Sequence, residues 1–348
     1  MGKTTATPEV LRALSQCLRK DGDKSVRREA AGALGSMGEA AATPEVLRSL
    51  VQRLREDEDG LVRQVAAGAL GRIGEAAARP EVLEALVQAL RGDEDGWARS
   101  AAAKALGRMG TAAARPEVLE ALVQALRGDE DGWARSEAAG ALGRMGEAAA
   151  TQEVVGALIQ RLREDEYWVV RREAAGALGR MGEAAATPEV LGALLERLRE
   201  DEDKGVRQAA AWALRQLLPA HPEALRDFLR ALPAPMTPQE TQTLEEVFRD
   251  RPSAVPAVRA LLSDPDPKIR AKAVWALGAV GPAAATPEVV RDLLARRLDR
   301  APNVRTAALE VLRKLPVSPE TVSAVLRDIR GDEPEAAEAT AWALERLG

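Results

Sequence analysis

Between Pro80 and Gly110 the apolar residues fall at steps of three and four, the period of a helix with one buried stripe. Val82, Leu83, Leu86, Val87 and Leu90 make one such stripe, and Ala98, Ala102, Ala105, Leu106 and Met109 make a second. The charged run Arg91-Gly92-Asp93-Glu94-Asp95 separates them, so the pattern predicts two helices joined by a solvated turn. The first kind of helix opens at a Thr-Pro-Glu such as Thr43-Pro44-Glu45. There Thr caps, Pro takes the first helical position and Glu suits the positive end of the dipole. The second kind runs from about Gly96 to Met109 and stops at Gly110, which suits a left-handed cap. No run alternates β-branched and polar residues as a strand would.

This pair recurs every 36 residues, marked by Pro8, Pro44, Pro80, Pro116 and Pro188, with Gln152 in the remaining place. Residues 76–100 and 112–136 are identical. Residues 1–218 therefore read as six regular units. Segment 219–251, with Pro219, Pro222, Pro233, Pro235 and Pro238, breaks the spacing and reads as a degenerate repeat or a helical insertion. Three irregular units follow over 252–348. The expected fold class is all-α.

In every unit but the final one, which departs from the pattern, an Asp of the turn is followed five and six residues later by an aliphatic residue and an Arg. The copies are Asp21/Val26/Arg27, Asp57/Val62/Arg63, Asp165/Val170/Arg171, Asp201/Val206/Arg207, Asp264/Ile269/Arg270 and Asp299/Val304/Arg305. Asp93/Ala98/Arg99 and Asp129/Ala134/Arg135 carry Ala instead. On these residues the chain resembles the HEAT-repeat family over nearly its whole length, as in the repeat arrays of larger prokaryotic multidomain proteins. The resemblance implies a right-handed α–α superhelix of about nine to ten helix pairs, with the second helices lining its concave side. Because the Asp and Arg recur from unit to unit, they read as pairing that locks neighbouring repeats rather than as an active site. Met1 aligns with Met37, near the end of a second helix, so a neighbouring domain or further repeats are expected N-terminal to this chain.

Composition adds exclusions. Net charge is −5, aromatic residues are 3% of the chain, and Cys17 is the single cysteine. That rules out an intrachain disulfide and fits a reducing compartment; without a signal-like or membrane-spanning stretch, the expected location is cytoplasmic. Gly2-Lys3-Thr4 echoes a phosphate-binding loop, but it aligns with the inter-repeat segment Gly38-Glu39-Ala40. His221 is the single histidine and lies beside a proline, with no partner for catalysis in view. Cys17, near Leu14 and Leu18 on the first helix, reads as a small core residue. The acidic turns lack the ligand spacing of a calcium loop. The chain is read as no enzyme, with no cofactor and no metal.

The informative surface is the face of the second helices opposite the stripe Val26, Ala30, Ala33, Leu34 and Met37. Positions equivalent to 25, 29, 32 and 36 share it. Trp97 and Trp133 fall in the first column, Trp212, Trp275 and Trp342 in the third, and Tyr167 and Trp168 open the fifth repeat's second helix. Every Trp and the single Tyr are thus placed on or beside an exposed face. The last column carries Arg72, Arg108, Arg144 and Arg180, and Lys104 lies between. With Arg28 and Arg172 these make seven cations, against Glu29, Glu137 and Glu173, on an acidic chain. Trp97, Trp133, Tyr167, Trp168, Trp212 and Trp275 with Arg72, Lys104, Arg108, Arg144 and Arg180 are the candidate partner-binding residues. The reading is a scaffold within a larger protein for a protein or peptide, the arginines favouring an acidic or carboxylate-bearing segment. Nucleic-acid binding, as in HEAT-like DNA glycosylases, is the alternative, weakened by the net charge. A bilin lyase-like role comes third, with no motif for it, and no membrane partner is expected.

Overall fold

In the computed structural model, residues 6–218, 222–233, 236–328, 337 and 340–343 are described. His221 and the tripeptide Gly2-Lys3-Thr4 lie outside them. The described residues hold α-helices and short 3₁₀ turns, with no strand among them. They form two compact units: residues 1–185 with 201–213, and residues 186–200 with 214–348.

In the first unit, first helices α1 (Pro8–Lys20), α3 (Pro44–Glu56), α5 (Pro80–Gly92), α7 (Pro116–Gly128) and α9 (Gln152–Glu164) pack side by side. Second helices α2 (Lys24–Ser36), α4 (Gly60–Ile73), α6 (Gly96–Arg108), α8 (Gly132–Met145) and α10 (Trp168–Arg180) form the other layer. The expected caps are present: the hydroxyls of Thr43 and Thr151 accept from Val46 N and Val154 N at 3.3 Å. Asp59, Asp95 and Asp131 cap the second helices in the same way. Gly38, Gly74, Gly110, Gly146 and Gly182 take positive φ, and each opens a 3₁₀ turn of four residues that the helical period does not foretell.

The core lies between the layers and is made of Leu, Val and Ala. Leu86 and Leu106 are fully buried, and truncating such a residue to Ala costs about 2–5 kcal/mol. The second helices approach so closely that a Cβ on Gly107 would lie 2.6 Å from Ala141 Cα. Gly35, Gly71 and Gly143 stand in the same relation to Ala69, Ala105 and Ala177. Small residues in this column are therefore a packing requirement.

The repeats are also tied by an ion-pair ladder. Arg27 donates from Nε and Nη2 to Asp57 at 2.7 and 2.8 Å, while its Nη1 donates to the Asp21 and Gly22 carbonyls of its own turn. Arg63–Asp93, Arg99–Asp129, Arg135–Asp165 and Arg171–Asp201 repeat the fork. The Asp and Arg of the repeat motif do lock neighbours together.

Two expectations at the start of the array are corrected. Val26 is exposed and Ala33 and Met37 are half-buried, because no helix pair precedes them among the described residues. Cys17 is half-buried rather than a core residue, for the same reason.

The second unit contains α11 (Pro188–Glu200), α13 (Pro222–Ala231), α14 (Pro238–Phe248), α15 (Val255–Ala260), α16 (Pro267–Val280), α17 (Pro287–Arg296), α18 (Pro302–Lys314) and α19 (Pro319–Asp328). Helix α12 (Lys204–Leu217) belongs to the first unit up to Ala213. The described part of segment 219–251 is thus helical, and its Phe228 and Phe248 meet edge to face, centroids 6.1 Å apart, in the core of this unit.

Candidate functional site

Second helices α4, α6, α8 and α10 each present a large side chain from the first turn. Leu61 is 50% exposed, Trp97 56% and Trp133 54%. In the fifth repeat Tyr167 takes the N-cap position that Asp holds elsewhere, and Trp168 follows it. Tyr167 provides no side-chain cap; its ring sits where a Cβ on Gly132 would meet it at 3.0 Å. Arg135 lies 5.4 Å from the Tyr167 ring centroid and Arg172 5.1 Å from that of Trp168. Among the described residues no cation covers Trp97 or Trp133, and neither indole N–H is paired.

Eleven residues further along α6 stands Arg108, about 16 Å from Trp97 at 1.5 Å per residue. The arginines of this column lie across the glycines of the preceding repeat: a Cβ on Gly35 would come 2.7 Å from Arg72 Nη2, and one on Gly107 2.7 Å from Arg144 Nε. Desolvation, and then the charge of Arg108, pull the Arg72 guanidinium below its ordinary range, yet an arginine remains charged at neutral pH. The face therefore carries two rails, one aromatic and one cationic. Between them lies a floor of small or half-buried residues, among them Val65, Gly68, Ala101 and Gly140.

The cations on this face are not equivalent. Glu137 holds Lys104 at 2.6 Å and Arg144 at 3.4 Å. Glu173 holds Arg172 at 3.1 Å and Arg180 at 3.5 Å. Arg72 and Arg108 pair with no carboxylate among the described residues. The net positive charge thus concentrates at repeats two and three, beside the two uncovered indoles. Counting charges along the sequence could not show this, because Lys104 reaches Glu137 across a repeat boundary.

The structure brings Trp97, Trp133, Tyr167 and Trp168 onto one edge and Arg72, Arg108, Arg144 and Arg180 onto the other. Trp212 stands apart, 40% exposed, with its ring against Gly179, where a Cβ would come 2.6 Å from it. It packs as well as presents. Trp275 is half-buried in the second unit under Lys314, whose ammonium lies 5.8 Å from the ring centroid. Trp342 is only 3% exposed, which corrects the expectation that every Trp lies at an exposed face. Leu61 stands in the same column as Trp97 and Trp133, 50% exposed; a leucine there is indistinguishable by type from the leucines of the buried stripes.

Among the described residues no three His, Cys, Asp or Glu side chains gather as metal ligands. No helix among them is long and apolar enough to cross a membrane.

Stacked helix pairs, the ladder of Arg and Asp and the positive-φ glycine between repeats define a repeat protein of the helical-pair class. The sequence signature described as HEAT repeats matches residues 1–71, 47–121, 83–158, 119–215, 155–238 and 241–313. The chain belongs to the HEAT-repeat family, whose arrays are scaffolds that generally bind proteins. No relative of curated function matches the sequence. Among solved structures, an engineered protein is 20% identical, the alignment covering 97% of this chain and 98% of that one at a TM-score of 0.49. A chain of a structure described as Kap95p binding inducing the switch loops of RanGDP to adopt the GTP-bound conformation is 16% identical. There the alignment covers 99% of this chain and 52% of that one, with a TM-score of 0.48. Both likenesses are too loose to carry anything beyond themselves.

Proposed function

We propose that the protein is a non-catalytic scaffold whose second-helix face, over repeats two to five, docks a protein or peptide carrying apolar and acidic side chains. The observation that carries this reading is the aromatic edge: one large exposed apolar residue at the same turn of successive repeats, in a first unit whose core uses no aromatic residue. Rigid rings give large contact area for little ordering entropy, and packing does not require them there. Arg72 and Arg108 supply the preference for carboxylates, which a guanidinium can meet with two parallel hydrogen bonds.

Nucleic-acid binding draws less support. With Lys104, Arg144, Arg172 and Arg180 held by Glu137 and Glu173, two unpaired cations remain on this face of the first unit. Neutralising about two phosphates gives only a shallow salt dependence, a slope of about −1.4 to −1.8 in log affinity against log salt.

Selection of a random peptide library on the intact protein tests the proposal. Enriched peptides should be acidic and apolar, and W97A/W133A should weaken them by about 2 kcal/mol or more if the rings are hot spots. Exchange of Gln124, exposed on α7, for Ala should leave them bound. Peptides that bind the double variant as tightly as the parent would reject this face.

A further inference from the structure

The spacing of the aromatic edge points to a conformation for the partner. Because residues 76–100 and 112–136 are identical, Trp97 and Trp133 are the same side chain at the same place in the repeat, displaced by one repeat and exposed alike at 56% and 54%. Helices in contact lie 8–10 Å apart, and the Gly–Ala approach between α6 and α8 is close. A ligand that reads both rings alike must therefore present like groups every 8–10 Å or so.

Regular conformations differ in whether they do this. In an extended strand, side chains on one face recur at about 6.6 Å, and the third residue points away. In an α-helix the nearest same-face recurrence beyond one turn is the seventh residue, about 10.5 Å on. A polyproline II helix has three residues per turn and rises about 3.1 Å per residue, so every third residue returns to the same edge after about 9.3 Å. Its backbone is unpaired, and its carbonyls can accept from the Trp97 and Trp133 N–H groups, which have no partner among the described residues. Grooves lined by aromatic rings are a known mode of recognising this conformation.

We propose, resting on the docking reading above, that repeats two to four bind an acidic, proline-rich segment in the polyproline II conformation. One edge of that segment stacks proline rings on Leu61, Trp97 and Trp133. A second edge carries carboxylates toward Arg72 and Arg108, the two cations of this stretch without a carboxylate partner. Tyr167 and Trp168 already carry Arg135 and Arg172 over their rings, so the acidic part of the segment sits at repeats two and three.

The probe is the peptide (Pro-Pro-Glu)₅, titrated into the intact protein and followed by tryptophan fluorescence and calorimetry. It should saturate, bind at least tenfold more weakly to W97A/W133A, and lose to R72E/R108E what (Pro-Pro-Lys)₅ gains there. Flexible (Gly-Gly-Glu)₅ should bind at least tenfold more weakly than (Pro-Pro-Glu)₅. If (Gly-Gly-Glu)₅ or an acidic amphipathic helix binds as tightly through the same tryptophans, the conformational inference falls and the scaffold reading stands. If single-stranded dT₁₅ binds more tightly than any peptide, with a steep salt dependence, both fall. Absence of binding by (Pro-Pro-Glu)₅ at millimolar concentration also overturns the inference, and the library selection then decides the scaffold reading alone.

Discussion

The two units solve one problem in different ways. In the first, the turn Asp of each repeat from the second on receives the Arg of the preceding second helix, 30 residues earlier, as in Arg135–Asp165. In the second, Asp299 is served by Arg270 at a spacing of 29, but Asp264 takes its guanidinium from Arg226, on α13. Lys272, in the column that carries Glu29, Glu137 and Glu173 in the first unit, is buried and donates from Nζ to the Leu229 and Leu232 carbonyls at the end of α13. Helices α16 and α18 also meet through a side chain rather than the backbone, for a Cβ on Gly278 would meet Val311 Cγ2 at 3.0 Å. What persists across both is the paired Asp in the turn. The repeat is better defined by that bond than by its length.

The largest effect should come from breaking a buried fork of the first unit. R135A leaves Asp165, 4% exposed, without its two-point partner and with Arg161 at 3.5 Å beside it, and removing one partner of a buried pair costs about 3–5 kcal/mol. R226A should cost clearly less, since that guanidinium reaches solvent. Urea unfolding, with hydrogen exchange to locate the loss, compares them; equal losses would show that the fork is no stronger in the regular unit. The same bonds set acid sensitivity. Burial pushes the Asp57 carboxyl up, but bonds from Arg27 and the Asp59 N–H, with the charges of Arg27 and Arg53, outweigh it and hold it below the ordinary range. Its folded value is thus under the unfolded value of about 3.9. The stability it contributes is present above about pH 4 and is lost as pH falls through the folded value. Asp57→Asn should flatten that acid limb.

Next in size is the glycine column. Gly to Ala inside a helix ordinarily gains about 0.8–1 kcal/mol. At Gly107 the new Cβ would press on the α8 backbone at 2.6 Å, and overpacking of this kind costs about 1–3 kcal/mol. G107A should therefore destabilise, and G278A, facing a side chain that can give, should be near neutral. A stabilised G107A would mean that the second helices separate easily.

A smaller effect belongs to Lys272. Burial, then the nearby charge of Lys268, lower its pKa, with Asp266 and Glu240 opposing. A lysine whose folded value is depressed weighs on folding while both states are charged, so stability should rise with pH from the folded value up to the unfolded value of about 10.4. K272M should abolish that rise. A slope unchanged in K272M would assign it to another group.

Most of this architecture was legible in the sequence because each feature repeats. A Pro at the first turn, a Gly after the second helix and an Asp six residues before an Arg are local rules, and the helical period places the stripes. What escaped was set by neighbours. The 3₁₀ turn at Gly110–Ala113 follows from the positive φ of Gly110 and has no period of its own. The burial of Trp342 has no counterpart in the regular columns from which its exposure was expected. The neutralisation of Lys104 by Glu137 crosses a repeat boundary. The site was therefore readable as columns of residues, while its charge pattern required the fold.

The smallest predicted change in stability tests the reading of the face most directly. Trp97 is more than half exposed, lies off the buried stripe of α6, and has its indole N–H unpaired. Removing it should change stability by no more than about 0.5 kcal/mol, as for surface positions in general. Trp275 is half-buried and carries Lys314 over its ring, so W275A should lower the melting temperature more than W97A does. Trp133, in an identical segment, should behave as Trp97, and at one repeat's distance with no shared partner the two losses should add. If W97A melts many degrees below the parent, the ring is holding repeats together, because an exposed side chain that costs so much must be packing against its neighbours. The aromatic edge would then be structural, and a docking surface would have to be sought on the first helices.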